Sequence, residues 1–176
     1  MGLKGGPTED EVMAVSLAKL GIRPGDRVVD LGCGTGKVAV ALSETAGRVY
    51  AIDRRPEAVA YARDAATRAG RGNIEFFEGD AVEILPGLGP LDAAFVGGSR
   101  RLPEVLALLA DQVRGRIVVN AVMVGTLHEA IATMRRLGIF VEAIHLQVSR
   151  SADIAGGTMF KPINPVYIVV GGAGCS

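Results

Sequence analysis

At 176 residues, with 49% hydrophobic and 22% charged side chains, the chain is long enough to bury a core and too apolar to be disordered. Its 19 Lys and Arg balance 19 Asp and Glu, a neutrality that argues against a nucleic-acid binder held by a basic face. The cysteines Cys33 and Cys175 and the histidines His128 and His145 are scattered, so neither a disulfide framework nor a metal site has support.

In chain order, MGLKGGPTEDE carries no apolar signal region, and no apolar run reaches membrane-spanning length; the expectation is a cytoplasmic protein without a membrane segment. PTEDEVMAVSLAKLG reads as a helix over about 8–20, opened by Pro7 and Thr8, with acids in its first turn and Gly21 at its end. RVVDLG, RVYAID, NIEFFEGD, LDAAFVGG, RIVVNAV, VEAIHLQVS and PVYIVV read as strands, rich in Val, Ile and Phe. PEAVAYARDAATRAG and TLHEAIATMRRLG read as helices, the second with Leu127, Ala130, Ile131, Met134 and Leu137 on one face. The alternation predicts βαβ units. Between VEAIHLQVS and PVYIVV stands only the Gly- and Pro-containing SADIAGGTMFKPIN, a surface hairpin loop, so these two strands should pair antiparallel. The expected fold is α/β: a seven-stranded, mostly parallel sheet with an antiparallel last strand and helices on both faces, in one domain over 1–176.

DLGCGTGKV, from Asp30, sets Gly32, Gly34 and Gly36 directly after the first strand, opening a helix. A dinucleotide fingerprint needs a small residue where Lys37 stands, and a P-loop needs Ser or Thr where Val38 stands. Asp53 ends the second strand, and the third runs into EGD followed by Ala81. Together these resemble motif I and its companions in the class I S-adenosylmethionine-dependent methyltransferases, whose fold is Rossmann-like. The resemblance implies adenosylmethionine bound near Gly32, Cys33, Gly34, Thr35 and Gly36, with Asp53 accepting both ribose hydroxyls and Asp80 and Ala81 flanking the adenine. Asp30 either orients the loop or touches the sulfonium end. Cys33 reads as a space-filler and Lys37 as a solvated first-turn residue.

The fourth strand ends in DAAFVGGSRR, without the Asp/Asn-Pro-Pro-aromatic pattern of amino-group methylases acting on nucleic acid. GGPTEDEV, FVGGSRR and TMFKPINPVYIVV resemble, almost end to end, the precorrin methyltransferases of cobalamin biosynthesis, and within them the members that methylate carbon-15 and decarboxylate the ring-C acetate. Glu9 departs from the Lys that often follows the Thr in that family. The resemblance implies a tetrapyrrole substrate, a precorrin or cobalt-precorrin, and Thr8 near the cofactor. Gly97, Gly98 and Ser99 would line the methyl-transfer site. Substrate carboxylates suit Arg100, Arg101, Arg150 and Lys161. A cofactor-binding half (about 21–98) would precede a substrate and oligomer half (about 99–176). The family also implies a homo-oligomer, a tetramer, with Met159 and Phe160 covered by substrate or a neighbouring subunit, and leaves open a separate carbon-5 methylase. His128 and His145 read as structural, and Glu104 and Asp111 as a solvated face. Rival readings are a methyltransferase acting on tRNA or protein isoaspartate, and a non-catalytic adenosylmethionine-binding subunit.

Overall fold

A computed structural model describes residues 8–98 and 100–172. Its strands are β1 (Arg27–Leu31), β2 (Arg48–Asp53), β3 (Ile74–Glu78), β4 (Ala93–Val96), β5 (Arg116–Ala121), β6 (Phe140–Leu146), β7 (Ser149–Ile154), β8 (Gly157–Pro162) and β9 (Val166–Gly172). Among the described residues seven of these form one sheet, in the order β3-β2-β1-β4-β5-β9-β6. From β3 to β5 every pairing is parallel, and β9 inserts antiparallel between β5 and β6. The expected antiparallel pairing of the last two sheet strands is therefore present. Every residue of β4, and all of β1 but Arg27, is buried, the pattern of strands covered on both faces.

The helices are α1 (Asp10–Leu20), α2 (Lys37–Leu42), α3 (Pro56–Arg68), α4 (Ala81–Ile84), α5 (Leu102–Gln112) and α6 (Val124–Arg136). They divide by chain order. Leu20 of α1, Val38 and Leu42 of α2 and Ala62 of α3 pack with Val28, Ala93 and Phe95 on one face of the sheet. Leu106 and Leu109 of α5 and Met134 of α6 pack with Val29, Ala94 and Val119 on the other. The strand order turns between β1 and β4, so the carboxyl ends of β1, β2 and β4 open into a cleft there.

The segment expected as a loop is instead a paired ribbon. β7 and β8 run antiparallel as a separate two-stranded sheet, closing through Ala155 and Gly156, both with positive φ (48° and 79°). Two consecutive left-handed residues make the tight turn that matches strand twist. Ala at the first of these positions is not a usual turn former, which is why the sequence does not announce the ribbon. The ribbon is tied back to α1 by Arg150, whose guanidinium pairs with Glu9 at 3.0 Å and with Glu11. His145 of β6 stacks on Tyr167 of β9, ring centroids 4.7 Å apart.

Leu106 is wholly buried between α5 and the sheet. Leu106→Ala should lower the unfolding free energy by about 2–5 kcal/mol, read as a lower urea midpoint at unchanged slope.

Candidate functional site

The glycine turn is shaped by what it must pass between. Gly32 has φ 76°, and a Cβ there would stand 3.0 Å from the amide nitrogen of Gly98. Gly36 has φ 75°, and its Cβ would meet the Ala62 backbone in α3 at 2.8 Å. Neither position tolerates a side chain, because the turn threads between the end of β4 and the face of α3. Gly32 and Cys33 donate their amides to the Ile52 carbonyl at 2.8 and 3.1 Å, which locks the turn to the end of β2. Cys33 is buried, and burial together with Asp30 pushes its thiol up, so it fills space rather than acting as a nucleophile.

Asp53, at the end of β2, is partnered on every side. Its Oδ1 accepts the Arg55 amide and Arg55 Nε at 3.0 Å each, and its Oδ2 accepts the Gly34 amide at 3.0 Å and Arg55 Nη2 at 3.1 Å. Burial pushes this carboxyl upward, but the guanidinium and the two amides outweigh it and hold it below the usual carboxylate range. Asp80 caps α4 by accepting the Val82 amide at 3.0 Å. Asp30 is the opposite case. It is fully buried in β1, and neither carboxylate oxygen has a hydrogen-bond partner among the described residues. Burial pushes it up to about 7; the nearby Ala39 amide pulls down without closing a bond, and Asp53 adds repulsion.

Two cavities open on these groups and meet at Gly32, Gly97 and Arg55, which line both. The larger, of about 530 Å³, takes in Asp30, Cys33, Gly34 and Thr35 from the turn, Thr8 and Glu9 from the lead-in to α1, Asn120 and Val122 at the end of β5, and Asn164 and Val166 before and in β9. The smaller, of about 300 Å³, lies between Asp53, Asp80, Ala81, Gly98 and Arg100. The fold thus brings Thr8, Asp30, Gly32, Cys33, Gly34, Thr35, Asp53, Asp80, Ala81, Gly97 and Gly98 to one continuous cleft. Gly36 stands just behind it. Ser99 lies outside the described residues.

The expected substrate cations are distributed differently. Arg100 Nε and Arg101 Nη1 stand 3.9 and 3.6 Å from Asp80, on the smaller cavity's side, and Arg101 also pairs with Glu104. Arg150 is committed to Glu9 and Glu11. Lys161, opposite Arg150 in the ribbon, is exposed. Lys37 corrects its sequence reading: it is not a solvated residue but donates to the Thr8 carbonyl at 2.6 Å and pairs with Asp10 at 2.7 Å, fastening the lead-in of α1 to the glycine turn. Met159 is half-buried and Phe160 is 70% exposed within the described residues.

A buried carboxylate without partners selects its ligand by charge. A pyrophosphate in the larger cavity would bring negative charge against Asp30, whereas a cation would relieve it. The larger cavity therefore suits a ligand with a positive group at the β1 end. Residues 4–171 match a family model described as a precorrin methyltransferase domain. The chain belongs to that family. It is 46% identical over 176 residues to a probable cobalt-precorrin-6B C(15)-methyltransferase (decarboxylating) of Methanosarcina acetivorans, spanning 97% of this chain and 96% of the relative. A crystal structure titled precorrin 8W decarboxylase, from Methanobacterium thermoautotrophicum, superposes with a TM-score of 0.92 at 38% identity, over 96% of this chain and 92% of that one. A precorrin-6y C5,15-methyltransferase structure from Geobacter metallireducens gives 0.91 at 31%, over 97% and 93%. An O-methyltransferase of Thermotoga maritima, at 17% identity and 0.77, shares the fold, which is that of the class I methyltransferases.

In this precorrin methyltransferase, sequence reasoning missed Arg55, Asn120 and the role of Lys37. Arg55 left one local trace: it holds the N-cap position of α3 without capping it, where Ser, Thr, Asp or Asn is favoured. Asn120 accepts from Ser16 at 3.0 Å across 104 residues, a contact no local pattern announces.

An unfolded Asp releases its proton near pH 4, whereas buried Asp30 keeps it to about 7. Between those values the folded protein holds the additional proton, so stability falls as pH rises through this window and stays low above it. Asp30→Asn should remove that fall. At pH 8 the ligand-free variant should exceed wild type by on the order of a few kcal/mol, with the gap closing toward pH 4 in thermal melts.

Proposed function

We propose that this chain is an S-adenosylmethionine-dependent C-methyltransferase that methylates carbon-15 of a precorrin or cobalt-precorrin and removes the ring-C acetate carboxyl as carbon dioxide. The observation that carries the donor half is Asp30, a buried carboxylate beside a glycine turn with no hydrogen-bond partner among the described residues, with further carboxylates at the ends of the next two strands. The acceptor half rests on the names borne by the relatives.

When bound, adenosylmethionine would supply an activated methyl group on a sulfonium. Asp30 would offset the positive charge at the methionine end, and Asp53 would accept the ribose hydroxyls. Asp80 and the Ala81 amide would flank the adenine. Gly97 and Gly98 would keep side chains away from the transferring methyl group, and Val12, Phe95, Val122 and Val166 line the larger cavity with apolar surface that would exclude water. Loss of carbon dioxide leaves an electron pair delocalised through the tetrapyrrole, so the chemistry asks the protein chiefly for positioning. Arg100 and Lys161, both exposed, are the cations assigned to substrate carboxylates.

The proposal extends to a cytoplasmic homotetramer in which the ribbon, with Ile154 and Phe160 exposed at 56% and 70%, meets a neighbouring subunit; a separate carbon-5 methylase remains a candidate partner. Among the described residues no helix is long and apolar enough to cross a membrane. The donor-binding half is assigned to 21–98 and the acceptor and assembly half to 99–176, in one domain.

Incubation with methyl-labelled adenosylmethionine should label a cobalt-precorrin acceptor and release carbon dioxide, while tRNA stays unlabelled; label in tRNA alone would overturn the assignment. Asp53→Ala should weaken S-adenosylhomocysteine binding about 10- to 100-fold by calorimetry.

A further inference from the structure

The carboxylate assigned to the ribose has no acceptor capacity left. A carboxylate offers about four lone-pair positions, and on Asp53 they meet four donors: the Arg55 amide, Arg55 Nε, Arg55 Nη2 and the Gly34 amide. Two of these donors are backbone amides fixed by the turn and by the start of α3. The other two are the Nε and Nη2 of one guanidinium, set as a fork, one to each carboxylate oxygen. A vicinal ribose diol is the same kind of fork: two donors aimed at two oxygens. We infer that the Arg55 guanidinium occupies the ribose position in the ligand-free protein and must leave Asp53 for the methyl donor to bind, making Arg55 a displaceable competitor that sets donor affinity. The inference rests on the assignment of Asp53 to the ribose.

Three observations on Arg55 point the same way. It stands at the N-cap of α3, where it makes no capping hydrogen bond and places a cation at the positive end of a 13-residue helix. Local energetics thus disfavour Arg at this position, and a residue that breaks a local rule at a cleft is a candidate for function. The side chain is 38% exposed, so it has solvent into which to swing, whereas Asp53 is only 6% exposed and stays in place. Arg55 also lines both cavities at the point where they meet, so a donor reaching from Asp30 to Asp80 must pass it. Departure of the guanidinium frees one lone pair on each Asp53 oxygen, while the Gly34 and Arg55 amides continue to orient the carboxylate.

The test is calorimetric titration of S-adenosylhomocysteine into the full chain as wild type, Arg55→Ala and Arg55→Asn. The Asn variant removes the fork and supplies a proper helix cap, so a loss of folding cannot mimic the result. Both variants should bind roughly fivefold tighter. A structure of the wild-type complex should show the guanidinium off Asp53. Equal or weaker binding of S-adenosylhomocysteine by both variants, or a complex with the Nε and Nη2 bonds to Asp53 intact, would overturn the inference. Failure of wild type and variants alike to bind S-adenosylhomocysteine would overturn the donor-site reading itself, and the inference with it.

Discussion

Asp30 is a carboxylate buried in the parallel part of the sheet with no hydrogen-bond partner among the described residues, and the cleft is organised around that imbalance. Burying a charge in this way is costly unless it is paired or neutralised, so the ligand-free protein keeps the group protonated to near neutral pH. The carboxylates on the neighbouring strand ends are treated differently. Asp53 is neutralised by Arg55 and two backbone amides, and Asp80 is occupied as a helix cap. Acids of similar appearance in the sequence therefore have three different chemistries. The unsatisfied one favours a positive group over a phosphate, and the proposed sulfonium donor would supply one.

Around Asp30 the backbone comes closer than side chains would allow. The turn at Gly32 lies against Gly98, and Gly36 lies against α3, so the two strand ends that flank the switch point nearly touch. That contact sets where the two cavities join. Around the larger cavity the other walls come from distant parts of the chain: the lead-in to α1, the end of β5, and the segment entering β9. Lys37 fastens the lead-in of α1 to the glycine turn through a carbonyl contact and an ion pair, and Arg150 ties the ribbon to the same lead-in. Their exposed partners make each pair individually weak, and their effect is positional rather than a large contribution to stability.

Much of the site was legible in the sequence because its signals are local. A glycine turn directly after an apolar strand, an acid closing the next strand and an acid-Ala step after the third are each read within a few residues, and parallel packing then places all three strand ends on one edge. The roles of Lys37, Arg100, Arg101 and Arg150 were not legible, since a cation's partner depends on which strand or helix lies across the fold. The ribbon β7–β8 was read only as a loop because its turn uses Ala155, in a left-handed conformation that no local preference predicts.

By itself the sequence determined the strand order class, the glycine turn and the identity of the acids beside it, because hydrophobic periodicity and glycine's freedom at positive φ are properties of a residue and its near neighbours. Only the tertiary structure decided which acid is left unpartnered, that Arg55 fills the fork of Asp53, and that Arg150 faces Glu9 and Glu11. The first depends on burial, the second on how the end of β2 and the start of α3 are held beside the cleft, and the third on charges far apart in the chain, and all three come into being only when the sheet and its two helical layers close around them.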